Sequence, residues 1–250
     1  FVKEVNNFKR FKTLKDFNVK INSGTTGFEA NKIKPLINES SKGFEFAVSG
    51  SVDPYVINME RVPYMKSIYN KPYIELDRNI LADSKIEFWN MPKIVIAGMT
   101  KRIEAYYSAT PLALGVGVYG IYDFSVFKPL YLLAILNSKF LTYYLNVEFY
   151  DKHLAGGYLA INKSTLEYLP LVEADKKTEA TLESFAKETI NNKVTFSLTN
   201  KKFQNYLKSH FSIQKLTKKL QSWHELEFGD FIKEINKAIK KENKERTKAE

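Results

Sequence analysis

The run KIVIAGM at residues 93–99 is apolar almost without interruption. It reads as a β-strand buried on both faces, and it constrains the first half of the chain more than any other feature. Residues 17–21 (FNVKI) and 44–48 (FEFAV) alternate apolar and polar side chains, the period of a strand. Residues 64–69 and 73–76 are rich in β-formers, with Lys71-Pro72 between them. Residues 103–108 and 112–122 read as further strands, and Gly115, Gly117 and Gly120 let the last one bend or bulge. Polar loops, among them 23–27 and 50–54, separate these segments.

The period changes after Pro129. Leu132, Leu136, Phe140 and Tyr143 or Tyr144 recur at helical spacing. The pair Gly156-Gly157 follows, then a short strand at 158–161. Ser164 is placed to cap one helical turn, with Glu167 at the capping-box position, and Leu169-Pro170 ends it. Composition shifts again near Glu173. Leu182, Phe185 and Ile190 mark a helix, and Phe203, Leu207, His210 and Phe211 a second. Leu216, Leu220 and Trp223 mark a third, and Phe228, Phe231, Ile232, Ile235 and Ile239 a fourth. Past Lys240 apolar residues almost vanish, so the last helix is expected to fray. The expected class is α+β: a mainly antiparallel β domain with inserted helices over residues 1–172, then a helical region over 173–250.

Cysteine is absent, so neither a disulfide framework nor thiolate chemistry is available. That suits a reducing cytoplasm. The longest apolar runs are broken by Lys, Asn or Pro, and no membrane span or signal peptide is read. The chain opens without Met and reads as a piece of a longer polypeptide. Net charge is +10, which favours polyanionic partners through counterion release. Residues 1–172 carry 21 Lys/Arg against 16 Asp/Glu and residues 173–250 carry 17 against 12, so each part is +5 and the shorter one is denser in charge.

Catalytic and cofactor signatures are missing. His153, His210 and His224 are scattered, which argues against zinc. Gly115-Val116-Gly117 lacks the third glycine of a dinucleotide loop. Asn90-Met91-Pro92-Lys93 lacks the proline pair and the aromatic that an adenine methyltransferase uses on a flipped base. Glu75 and Asp77 read as solvated strand-edge acids rather than a nuclease pair. The expectation is a non-catalytic chain that holds no cofactor or metal itself.

Two segments carry binding chemistry. Thr100-Lys101-Arg102 follows the buried strand, a rigid base from which Arg suits a bidentate guanine contact and Lys a phosphate. A solvated turn is the alternative. In residues 151–164, DKHLAGGYLAINKS, Gly156-Gly157 lets backbone N–H groups approach a phosphate. Lys152, His153, Asn162, Lys163 and Ser164 add donors, and Ser164 opens a helical turn that attracts anions. A plain turn is again the alternative. The loop 23–27, with Lys32 and Lys34 after it, is a looser candidate.

The order of these parts resembles a known family. Residues 131–171, YLLAILNSKFLTYYLNVEFYDKHLAGGYLAINKSTLEYLPL, run from an amphipathic helix through the glycine pair to a Lys-Ser turn and a Leu-Pro-Leu stop. Residues 93–107, KIVIAGMTKRIEAYY, and the tail pattern Trp223, Leu226, Phe228, Phe231 add to it. The chain is similar to the TaqI-like C-terminal specificity domain, the target-recognition domain of bacterial type IIG restriction–modification enzymes. The resemblance implies sequence-specific binding of double-stranded DNA, with Thr100, Lys101, Arg102 and residues of the 152–164 segment, Tyr158 among them, facing it. It implies a bacterial cytoplasmic parent polypeptide with an adenine-N6 methyltransferase and a nuclease domain, which use S-adenosylmethionine and Mg²⁺. It also implies a helical tail packed through Trp223 and Phe231, both expected to be buried. Two alternatives stay open. One is the target-recognition half of a type I specificity subunit, which the long helices at 173–239 would suit. The other is a small hydrolase or nuclease with an unrecognised acidic site.

Overall fold

The computed structural model describes residues 11–149 and 153–246. The chain divides into two compact units, the first ending at Ile190 and the second beginning at Asn191. The first holds, in chain order, β1 (Lys20–Ser23), α1 (Gly27–Ile33), β2 (Ile37–Asn38), β3 (Phe44–Ala47), β4 (Val52–Asp53), β5 (Val56–Ile57), β6 (Val62–Tyr64), β7 (Ser67–Tyr69) and β8 (Tyr73–Ile74). There follow α2 (Asp83–Asn90), β9 (Lys93–Ala97), β10 (Met99–Thr100), β11 (Ala105–Ser108), β12 (Leu112–Leu114), β13 (Val118–Asp123), α3 (Pro129–Leu136), α4 (Lys139–Glu148), β14 (His153–Leu154), β15 (Tyr158–Ala160) and α5 (Lys163–Glu167).

Strand β9 is the centre of the unit. It pairs antiparallel with β11 and β13, and β13 pairs with β1, giving the order β1-β13-β9-β11. All of β9 is buried. Because strand side chains alternate, Ile94 and Ile96 enter one core with Leu132, Leu136 and Leu141 from α3 and α4. Val95 and Ala97 enter a second core with Phe46, Ile74, Phe88 and Trp89. The apolar run is thus covered on both faces, as its composition predicts. Lys93 is buried with it: its Nζ donates to the Trp89 carbonyl at 2.6 Å and stands 5.9 Å from the Phe88 ring centroid. Burial pulls its pKa down to about 8.

A second sheet has the order β12-β3-β8-β2, with β12 and β3 parallel and the other pairs antiparallel. A third, β10-β15-β14, is antiparallel, as are the hairpins β4-β5 and β6-β7. The class is α+β with mostly antiparallel pairing.

Several elements differ from the expectation. Residues 64–69 are not one strand but the end of β6, a turn and β7, because Met65 and Lys66 take φ of 46° and 67°. Residues 112–122 divide into β12 and β13, which join different sheets. The helix after Pro129 is two helices, broken at Asn137. The Ala105 N–H donates to Asn137 Oδ1 at 3.0 Å, and Asn137 Nδ2 donates to the Ala105 carbonyl at 2.9 Å. Ser138 then caps α4 by accepting from the Leu141 N–H. Helices α1 and α2 fall where the sequence reading places none. The cap of α5 is Asn162, not Ser164: Asn162 Oδ1 accepts from the Thr165 N–H at 2.9 Å, while Ser164 lies inside the helix.

Helix α6 (Lys176–His210) is one helix of 35 residues where two were expected. The second unit continues with α7 (Lys218–Gln221), a 3₁₀ turn at Trp223–Glu225 and α8 (Phe228–Arg246). Helix α8 runs on to Arg246 instead of fraying after Lys240. The core here is Leu207, Ile213, Leu216, Leu220, Ile235 and Ala238. Trp223 and Phe231 are half-buried rather than buried, and Phe228 is exposed. Trp223 is still held: its Nε1 donates to Asn200 Oδ1 at 2.7 Å and its ring lies 4.3 Å from that of Phe203. Among the described residues no helix is long and apolar enough to cross a membrane.

Candidate nucleic-acid interface

The buried strand β9 ends at Ala97, and Gly98 carries the chain into β10. The Gly98 N–H donates to the Gly117 carbonyl at 2.7 Å, and the Gly98 carbonyl accepts from the Ile161 N–H at 2.9 Å. A Cβ at this position would lie 2.6 Å from the Gly117 oxygen, so the crossing from the central to the third sheet requires glycine. Beyond it, β10 pairs with β15 so that Thr100 faces Leu159. Strand β15 pairs with β14, Leu154 facing Tyr158. That register sets the 100–102 turn beside the Ala155–Gly157 turn and Tyr158. Lys101 Nζ stands 5.4 Å from the Tyr158 ring centroid, within cation–π range.

The 100–102 turn and Tyr158 border an open cleft of about 510 Å³. Met99, Thr100, Lys101, Arg102, Glu104 and Tyr158 line one part of it, and Ser49, Gly50, Val52 and Asp53 the rest. The second group arrives through the Tyr55 N–H, which donates to the Ala105 carbonyl at 2.8 Å and so brings the β4-β5 hairpin against β11. Lys101 and Arg102 are exposed. Arg102 Nε lies 3.6 Å from Glu104 Oε1. Burial pushes the Glu104 carboxyl above the usual carboxylate range, Asp53 adds to this, and Arg102 opposes it. The Arg102 side chain therefore leans on a carboxylate through the nitrogen nearest its stem; a base edge would be read by the two terminal nitrogens. Thr100 is buried, and its hydroxyl donates to the Arg102 carbonyl, closing the turn. Ser49 Oγ is buried at the cleft without a hydrogen-bond partner among the described residues.

Other residues singled out in the sequence fall elsewhere. Gly156 and Gly157 are exposed, with φ of 78° and 75°, and turn the chain between β14 and β15. Lys152 lies outside the described residues, and of His153 only the backbone, in β14, is described. Asn162 is spent on the cap of α5. Lys163 is exposed, lies 3.8 Å from Glu167, and lines a separate groove with Lys15, Asn18, Lys20 and Tyr122. Ser164 is exposed in the first turn of α5. The 23–27 loop is tied into the fold: the Thr25 hydroxyl donates to the Leu114 carbonyl at 2.7 Å, and Lys85 donates to the Gly24 carbonyl at 2.9 Å. Lys34 is engaged as well, on the Met65 carbonyl, while Lys32 is exposed. Sequence reasoning passed over Ser49, Asp53, Met99 and Glu104. Met99 and Glu104 flank the basic turn and were within reach of it. Ser49 and Asp53 carry no local signal, because a pairing some fifty residues away brings them in. Among the described residues no group of three or more His, Asp or Glu is arranged to hold a metal.

These features give a β-built cleft rimmed by basic, acidic and aromatic side chains, next to the buried central strand. Residues 50–171 match the TaqI-like C-terminal specificity domain, a family whose domains are not themselves catalytic. The resemblance drawn from the 93–107 and 131–171 segments is borne out. Residues 175–250 match a family described as a domain of unknown function, DUF8810. No curated protein matches the chain. Among solved structures it is similar to the HsdS subunit from Thermoanaerobacter tengcongensis, at 13% identity and a TM-score of 0.41, over 90% of this chain and 44% of that one. It is also similar to a chain from a study of complex assembly and conformational transition in the type I R-M system, at 14% identity and a TM-score of 0.44, over 76% of this chain and 41% of that one. The chain spans less than half the length of either.

Proposed function

We propose that this chain reads duplex DNA as the specificity domain of a type IIG restriction–modification enzyme in the bacterial cytoplasm. Its partners are then the adenine-N6 methyltransferase and nuclease domains of the parent polypeptide, which use S-adenosylmethionine and Mg²⁺. The observation that carries the reading is the pairing of β10 with β15, which gathers Lys101, Arg102 and Tyr158 at one cleft. Lys101, steadied over the Tyr158 ring, takes a phosphate, and the exposed N–H groups of Gly156 and Gly157 take another. Arg102 presents its guanidinium to the O6/N7 edge of a guanine. Glu104 and Asp53 accept from the amino group of an adjacent cytosine or adenine.

A second reading is the target-recognition half of a type I specificity subunit. The 35-residue α6, with Phe185, Val194, Phe196 and Leu198 exposed along it, offers the helical surface that such a subunit would pack on a partner. Selection of bound duplexes from a randomised library tests the shared claim. Enrichment of one defined sequence supports it, and recovery of no preferred sequence overturns it. A methyltransferase encoded in the same polypeptide favours the first reading, and a separate methylation subunit that copurifies favours the second.

A further inference from the structure

Helix α8 sorts its charges by face. Glu234 and Glu242 are buried on the side that carries Ile235 and Ala238. The Thr217 hydroxyl donates to Glu234 Oε2 at 3.1 Å, and the Gln214 N–H donates to Glu242 at 2.8 Å, while Glu234 Oε1 also lies 3.9 Å from Lys219. Five lysines, Lys233, Lys237, Lys240, Lys241 and Lys244, line one open groove along the helix together with Asn236. Lys233 and Lys237 have acidic neighbours on the same helix, Asp230 at 3.0 Å and Glu234 at 3.6 Å. Lys240 and Lys244 have no ion pair among the described residues. Glu234 and Glu242 are turned inward while Asp230 stays exposed at the start of the helix, so the positive stripe is least compensated toward its C-terminal half, at Lys240 and Lys244.

We propose that this stripe is a sequence-independent contact for the phosphate backbone of duplex DNA, separate from the cleft at Lys101 and Arg102. The choice of DNA as the polyanion rests on the function proposed above. Lys233 and Lys244 lie eleven residues apart, about 17 Å along a helix. That length faces about five phosphates of one strand. A membrane surface fits less well. Amphipathic membrane helices bury an apolar face in lipid, whereas Ile235 and Ala238 already face the core, with Ile239 packed against it; the exposed apolar residues Phe228 and Ile232 precede the lysines in the sequence.

The test is salt-dependent binding of the full chain to random duplex and to its selected duplex, comparing wild type, Lys237→Gln/Lys240→Gln/Lys244→Gln and Arg102→Ala. Far-UV circular dichroism and thermal melting confirm that each variant is folded. Loss of three phosphate contacts lowers the slope of log affinity against log salt by about 2.7. The triple variant should therefore bind both duplexes at least tenfold more weakly and equally so. An unchanged slope and affinity, or binding of the wild type to phosphatidylserine vesicles but not to random duplex, overturns the stripe. If wild type binds random duplex through the stripe yet shows no preferred sequence, the stripe stands and the recognition reading fails. If discrimination is present and the triple variant behaves as wild type, the reverse holds.

Discussion

Lys93 is a fully buried lysine whose ammonium meets one carbonyl and an aromatic ring. Its pKa in the fold, about 8, lies below the ordinary 10.5. Between those two pH values the unfolded chain holds a proton that the folded chain does not, so stability rises with pH across that window. Below it both states are charged and the fold bears the whole desolvation cost, ~3 kcal/mol at 1.36 kcal/mol per pKa unit. The expected outcome is a urea midpoint that climbs between about pH 8 and 10.5 in wild type and stays flat in Lys93→Met, which starts higher. Equal slopes in the two proteins would show that Lys93 is not the group responsible. Glu104 has the opposite sign. Its raised pKa means that stability is lost as pH rises from the ordinary carboxylate range through the raised value. Glu104→Gln should flatten a stability profile measured across acid pH, and an unaltered profile would remove Glu104 as its cause. The lysine itself is legible in the KIVIAGM run, but its burial is not. The carbonyl it needs belongs to Trp89, the penultimate residue of α2, a helix whose sequence shows no clear period.

At the scale of elements, legibility follows how local the cause is. Strand β9 is readable because its apolar run states its own burial. The hairpin β6-β7 is not, because its turn is Met65-Lys66 where such turns favour Asn-Gly. Both residues sit in the left-handed region, which costs a non-glycine residue about 1 kcal/mol. Lys66→Gly should therefore raise the unfolding free energy by about that amount, and a fall would mean that the Lys66 side chain supports the hairpin. Helix α5 is short, and its cap matters in proportion. Asn162→Ala should cost about 1 kcal/mol, whereas Ser164→Ala should cost little; the reverse ranking would restore Ser164 as the cap. The break between α3 and α4 depends on Asn137 meeting the Ala105 backbone, a partner 32 residues away that no helical period reveals.

Over the whole molecule, the candidate cleft is a product of pairing rather than of any one segment. The basic turn and the glycine turn are each visible in the sequence, as is the family order that contains them. The approach of the basic turn to Tyr158, which follows the glycine turn, depends on Gly98 and on the β10-β15 register, and Asp53 reaches the cleft through β4. Lys163, from the same segment as the glycine turn, lines another groove, because α5 begins only after the chain has left β15. A chain that makes ~6 phosphate contacts should lose on the order of a thousandfold in affinity between about 50 and 200 mM salt. The central claim is that Arg102 reads a base while the groups around it hold the backbone. The direct measurement is the ratio of affinities for the selected and a scrambled duplex, in wild type and in Arg102→Ala. Loss of one bidentate guanine contact should lower that ratio by about tenfold or more while leaving scrambled-duplex binding nearly unchanged. An unchanged ratio, whether both affinities fall together or neither moves, would contradict the account.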